Sequence, residues 1–200
     1  LAHGARIPVI KSEQAQVLTA RAYTAPQVAL IAAAQTPRHG LATELAYAAG
    51  LRAHELLTLR RGEERAADPR PALASKWQGR DGVIYTVHGK GGLVREVLLP
   101  HALAERLEAV RLDAPLAITD RGIHYQSHYD IGGGQRWSNS VSAASERALG
   151  WSTGAHGLRH SYAQERMAEL QASLSRDAAL TTVSQEMGHF RPEITETYLR

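Results

Sequence analysis

The chain has 200 residues, 44% hydrophobic and 22% charged, a balance that suits one soluble globular domain and excludes wholesale disorder. It has no cysteine, which excludes disulfides, zinc fingers and thiol nucleophiles. Its apolar runs all fall short of the ~18–20 residues of a membrane helix, so a cytoplasmic protein is expected. Lys and Arg total 23 against 20 acidic groups, and the resulting +3 leans towards a polyanionic partner, with arginine, the bidentate phosphate binder, far outnumbering Lys11, Lys76 and Lys90.

In chain order, Thr24 can cap a helix running through Ala34, with Pro26 in its first turn. Pro37-Arg38-His39-Gly40 is expected to break it, and a second helix over 41–49 to stop at Gly50. A third helix is expected from Arg52, with Leu56, Leu57 and Leu59 apolar, so Arg52 stands at a helix junction. The charged, proline-bearing stretch 60–80 reads as a surface connection. Val83–Val87 and Leu93–Leu99 flank Gly89-Lys90-Gly91-Gly92 in a hairpin pattern that puts Lys90 at the tip. Leu103, Leu107, Val110 and Leu112 form a helical stripe up to Pro115, and Gly132-Gly133-Gly134 reads as a mobile loop. Helices follow over 139–149, 156–170 and from Asp177 to Gly188, and Pro192 opens the last, which is expected to carry Tyr198. The fold class is therefore mainly α with one small antiparallel β-sheet (α+β), in a single domain.

Four separated stretches carry chemistry: Gly50-Leu51-Arg52-Ala53-His54-Glu55-Leu56, Gly89-Lys90-Gly91-Gly92, His156-Gly157-Leu158-Arg159-His160, and Gly188-His189 followed nine residues on by Tyr198. Together, in this order and spacing, they resemble the catalytic domain of the tyrosine recombinase (phage integrase) family, over nearly the whole chain from Thr24 to Tyr198. The resemblance implies the DNA breaking-rejoining fold and catalytic roles for Arg52, Lys90, His156, Arg159, His189 and Tyr198, the last as nucleophile, with Glu55 in support. It implies a site-specific recombinase, the integrase of a phage or mobile element, that cuts and rejoins DNA through a 3′-phosphotyrosyl intermediate without metal or ATP. No cofactor is expected. The partners implied are double-stranded DNA and further protomers on it, a tetramer in the synapse and a monomer as the isolated fragment, on the bacterial nucleoid and not on a membrane. The family also carries an N-terminal DNA-binding region, so residues 1–22 are expected to be the end of a linker and 23–200 the catalytic domain.

The chemistry is consistent with those residue types. Attack on a phosphodiester adds negative charge to the transition state, which calls for fixed cations around the non-bridging oxygens. His156 and Arg159, three apart at a helix start, share a face where free N–H groups also favour an anion. Tyr198 must lose a proton, with His156 the better base, and a lysine on a hairpin tip can protonate the leaving 5′ oxygen. Arg95, near Lys90, and Arg191, beside His189, are the two arginines expected to touch DNA phosphates.

Plainer readings compete. Gly-Lys-Gly-Gly alone is a hairpin turn and lacks the Walker spacing; His54-Glu55 would open a zinc-protease helix only with a histidine at position 58, where Thr58 stands, so no metal site is expected. A type IB topoisomerase shares the same chemistry and a non-catalytic DNA-binding regulator shares the surface, but a pure binder has no need of Tyr198.

Overall fold

The computed structural model describes residues 21–199; residues 1–20, which hold most of the expected linker, and Arg200 lie outside the described residues. Helices α1 (Ala25–Ala33) and α2 (Pro37–Ala49) come first. Thr24 precedes α1 as expected, its N–H donating to Oε1 of Gln27 at 2.9 Å. Helix α2 begins four residues earlier than expected, because Pro37 sits at a first-turn position, where the missing N–H costs nothing and Thr36 provides the extended residue before it. Gly50 ends α2 in the left-handed region (φ 58°).

The helix expected from Arg52 is instead a 3₁₀ turn over Glu55–Thr58, and Leu59 leads into a two-residue strand, β1 (Arg60–Arg61). Leu56, Leu57 and Leu59 are buried here as a tight turn against the core, not as a helical face. The expected hairpin is present as β2 (Val83–His88) and β3 (Val94–Leu99), and β1 pairs with β2 to give an antiparallel sheet ordered β1-β2-β3.

Helix α3 (His101–Glu108) is shorter than its apolar stripe suggested, and residues expected to continue it form a second antiparallel pair, β4 (Arg111–Asp120) and β5 (Ile123–Tyr129). Among the described residues two sheets therefore replace the single one expected within a mainly helical fold. Arg121 and Gly122 make the connecting turn, both at positive φ (49° and 77°), the geometry that matches strand twist in a two-residue hairpin. Nor is Gly132-Gly133-Gly134 a loose loop. A Cβ at Gly132 would collide with the His39 ring and one at Gly133 with Leu57, while the Gly134 N–H donates to the Ala53 carbonyl at 2.7 Å, so these glycines permit close packing.

Helices α4 (Gly134–Leu149), α5 (His156–Gln171), α6 (Arg176–Glu186) and α7 (Pro192–Glu196) complete the chain. Helix α5 joins two cores. Leu158 packs into a large one with Tyr23, Leu45, Val87 and Trp137, and later turns supply Tyr162, Ala163, Met167 and Leu170 to a smaller one with α6 and Tyr198. The segment before α1 is bracketed to α5: the Tyr23 N–H donates to Oγ of Ser161 at 2.8 Å, and that hydroxyl donates back to the Tyr23 carbonyl at 2.7 Å. The Tyr23 hydroxyl meets the Thr153 N–H at 2.8 Å, and Trp151 stacks on its ring. The first turns of α5 are thereby held from both sides.

Candidate active site

The reversal at Gly50 and the 3₁₀ turn aim Glu55 inward, where it has no exposed surface. Its carboxylate accepts from the Arg52 N–H (2.7 Å), from Nη1 of Arg52 (2.9 Å) and from Nη2 and Nε of Arg95 (2.7 and 3.2 Å), and Nη1 of Arg159 stands 4.0 Å away. Burial alone would raise the pKa of this acid, yet Arg95, with Arg159 and Arg52 behind it, holds the carboxyl well below the usual range. One carboxylate thus organises three guanidiniums and leaves a local positive excess.

Arg159, 1% exposed in the first turn of α5, donates to the carbonyls of Gly50 and of Met187 (3.4 Å). These are the C-terminal ends of α2 and α6, where carbonyls lack helical partners and the dipole is negative, so the fold supplies partial charge to a buried cation. Nη1 of Arg95 uses the same end of α6, at the Glu186 carbonyl (2.7 Å). Burial and the Arg52 charge lower the Arg159 pKa to about 10, which leaves it cationic at neutral pH. Among the described residues its buried Nε–H has no partner, an unmet donor of the kind that functional sites retain.

After α6, Gly188 turns the chain at φ 71°; a Cβ there would stand 2.5 Å from Cδ of Arg95. His189 follows, its Nε2 3.0 Å from Nη2 of Arg159 and its Nδ1 2.9 Å from Oγ1 of the fully buried Thr195. Burial and the arginines, Arg159 foremost, lower its pKa to about 3, so it is neutral at physiological pH.

Tyr198 lies just beyond the five-residue α7, 8% exposed. Its ring centroid is 5.1 Å from that of His156, 5.0 Å from His160 and 5.1 Å from His189, and the Arg159 guanidinium lies 5.4 Å from it. His156, the first residue of α5 and open to solvent, has its pKa lowered to about 4 by desolvation and by Arg159, which leaves it unprotonated near neutrality. Chemically, the cluster offers a phenol beside a neutral imidazole and a fixed cation.

Solved structures share this architecture. The XerH site-specific recombinase, in a post-cleavage complex with its palindromic difH substrate, superposes with a TM-score of 0.57 at 17% identity, over 90% of this chain and 49% of that one. XerA recombinase gives 0.58 at 14% identity, over 98% and 64%, and the Tn1549 transposon integrase with circular-intermediate DNA gives 0.52 at 13%, over 94% and 63%. The chain has the fold of a tyrosine recombinase catalytic domain. It spans about half to two thirds of the length of these recombinases. No family model matches the sequence, and no curated protein does.

Within this recombinase fold, Arg52, Glu55, His156, Arg159, His189 and Tyr198, drawn from three of the four stretches, come together. Lys90 does not join them: it is exposed at the tip between β2 and β3, although a Cβ at the adjacent Gly89 would lie 3.5 Å from Oε1 of Glu55. Arg95 departs from the surface position expected of a phosphate contact, being 4% exposed with its guanidinium engaged by Glu55 and Glu186. Arg191 is exposed, beside His189. Sequence reasoning reads His160 as a packing residue with no catalytic role, and does not reach Gln164 or Thr195. The first two fall four and eight residues after His156, hence on one stripe of α5, and that spacing was the available signal. Among the described residues no group of three or more His, Asp or Glu side chains is arranged to hold a metal ion.

Proposed function

We propose that the chain is the catalytic domain of a site-specific DNA recombinase that cuts and rejoins double-stranded DNA through a 3′-phosphotyrosyl intermediate, as the integrase of a phage or other mobile element. The observation that carries this reading is the enclosure of the Tyr198 ring by His156, His160, His189 and Arg159. The solved relatives, named as recombinases and an integrase and two of them in complexes with DNA, support the same class.

In the proposed reaction the Tyr198 oxygen attacks phosphorus, the bond to the 5′ oxygen breaks, and the phosphate remains on the tyrosine, which conserves the energy needed for rejoining. Arg52 and Arg159 offset the added negative charge of the transition state. His189 is engaged at both nitrogens, so it orients Arg159 and takes no proton, and His160 is bound through Nδ1 to the Tyr198 carbonyl. His156 is therefore the base that receives the phenolic proton. Lys90, with the hairpin folded onto DNA, supplies the proton for the leaving 5′ oxygen, and Arg191 contacts the backbone.

Residues 1–22 serve in this reading as the end of a linker to a DNA-binding region, and protomers assemble as a tetramer on DNA. No described helix is long and apolar enough to cross a membrane, and the proposed place of action is the bacterial nucleoid. The test is to incubate the protein with fragmented DNA and recover and sequence detergent-stable adducts. Adducts that gather at one pair of related sites and vanish in Tyr198→Phe, with DNA affinity retained, are expected. Adducts spread over all sequence would favour DNA relaxation instead, and undiminished adducts in Tyr198→Phe would remove Tyr198 as the nucleophile.

A further inference from the structure

We infer that His160 is a positioning residue for the nucleophile: its Nδ1–H, with the side-chain amide of Gln164 one turn further along α5, holds the Tyr198 carbonyl and so sets where the phenol stands. The inference rests on the reading of Tyr198 as nucleophile. Nδ1 of His160 lies 3.1 Å from the Tyr198 carbonyl oxygen, and Nε2 of Gln164 donates to the same oxygen at 3.3 Å. A carbonyl oxygen only accepts, and it has two lone pairs, so one acceptor meets two donors and the Nδ1–H tautomer of His160 is fixed.

The need for such a hold follows from the local fold. Helix α7 has only five residues, too few to be stable by itself, and Tyr198 lies beyond its last turn, where carbonyls lack helical partners. The segment is tied upstream by the His189–Thr195 contact. The Tyr198 N–H bond to the Thr195 carbonyl (2.9 Å) and the packing of the ring hold the tyrosine within its own segment, and a tie at its carbonyl is what fixes that segment relative to α5. His160 and Gln164 supply that tie from α5, the helix that also carries His156 and Arg159, so nucleophile, base and cation share one rigid support. A misplacement of about 1 Å at a reacting atom costs on the order of 10²-fold in rate, so a main-chain tether of this kind has catalytic weight.

The competing role for a buried imidazole is packing, since the His160 ring also lies against those of His156 and Tyr198. Substitution separates the two. Asn at 160 keeps a donor close to Nδ1 and loses the ring; Phe keeps a ring and loses the donor. With the full chain, hydrogen exchange of the 192–199 segment and the single-turnover rate of adduct formation on sheared double-stranded DNA are measured for His160→Ala, His160→Asn, His160→Phe and Gln164→Met. Expected are exchange faster by about tenfold or more in that segment and a rate loss on the order of 10- to 10²-fold in His160→Ala and His160→Phe, recovery to within a few-fold in His160→Asn, and a smaller loss in Gln164→Met. Exchange in His160→Ala equal to wild type, or His160→Phe performing better than His160→Asn, would overturn the inference. If His160→Ala does not fold, Gln164→Met, which leaves the buried ring in place, decides: unchanged exchange there also overturns it. Retention of adducts in Tyr198→Phe is a separate outcome that defeats the nucleophile reading, while the exchange measurement still judges the tether.

Discussion

Arg159 donates to Nε2 of His189 at 3.0 Å, and because a guanidinium cannot accept, this contact places the imidazole proton on Nδ1, aimed at Thr195. The neutral form is thus built into the fold, with a pKa of about 3 against an ordinary 6.5. As the pH falls through 6.5 the unfolded chain takes up a proton that the folded chain refuses, so this contribution to stability is complete above about pH 6.5 and drains away towards pH 3. His156, lowered to about 4, acts in the same sense. Calorimetry from pH 8 to 4 should show Tm level at first and then falling, with a shallower fall in His189→Gln. An identical slope in that variant would place the pH dependence elsewhere.

Glu55→Gln removes the carboxylate between Arg52, Arg95 and Arg159 and leaves buried positive charge unmatched. The expected cost is about 3–5 kcal/mol in urea unfolding, the range for breaking a buried ion pair from one side. Adding Arg95→Met should recover part of it by removing one of the stranded charges. A double variant as unstable as the single would mean that Glu55 does not act through Arg95.

Arg159→Ala should slow adduct formation by about 10²–10³-fold, comparable to losing one preorganised donor at a developing charge. Arg159→Lys should restore little, because a single ammonium cannot reach Gly50, Met187 and His189 together. A loss below threefold in either variant would put Arg159 outside the chemistry.

Lys90 offers the contrasting case. It is exposed, so Lys90→Ala should leave Tm where it was while cutting the cleavage rate by about 10²–10⁴-fold, the worth of a general acid. A large fall in Tm, or an unaltered rate, would contradict the role proposed for the hairpin.

At Gly188 the backbone is left-handed and the space a side chain would need is filled by Arg95. Gly188→Ala should cost at least ~1–2 kcal/mol from the backbone alone, read as a lower urea midpoint at unchanged m. A neutral result would mean that the turn and Arg95 can shift together.

The site was legible where chemistry depends on residue type and spacing. His156 and Arg159 share the start of one helix, and Gly188-His189 precedes Tyr198 by a distance that one turn and a short helix can span. What the sequence hid were relations across the fold. Arg95 looks like any exposed hairpin arginine until Glu55 is found buried beneath it, and nothing local distinguishes the two situations. His160 is a contact with a backbone oxygen 38 residues away, which no side-chain motif encodes. The β4–β5 hairpin was masked because Leu103, Leu107, Val110 and Leu112 keep a helical spacing beyond the end of α3, while its one strong signal, the Arg121-Gly122 turn, lies ten residues further on. Gly132–Gly134 misled because glycine serves close packing as well as freedom.

Tyr23 bears on how the domain can be cut. It precedes α1, so a boundary drawn at the first helix would begin at Thr24 and discard it. Such a truncation would strip Ser161 of its two contacts with the Tyr23 main chain, Thr153 of its contact with the tyrosine hydroxyl and Trp151 of the ring on which it stacks, all on or just before the helix that carries His156 and Arg159. A working fragment of this protein should therefore start no later than Arg21, whose carbonyl accepts from the Thr153 hydroxyl at 2.8 Å.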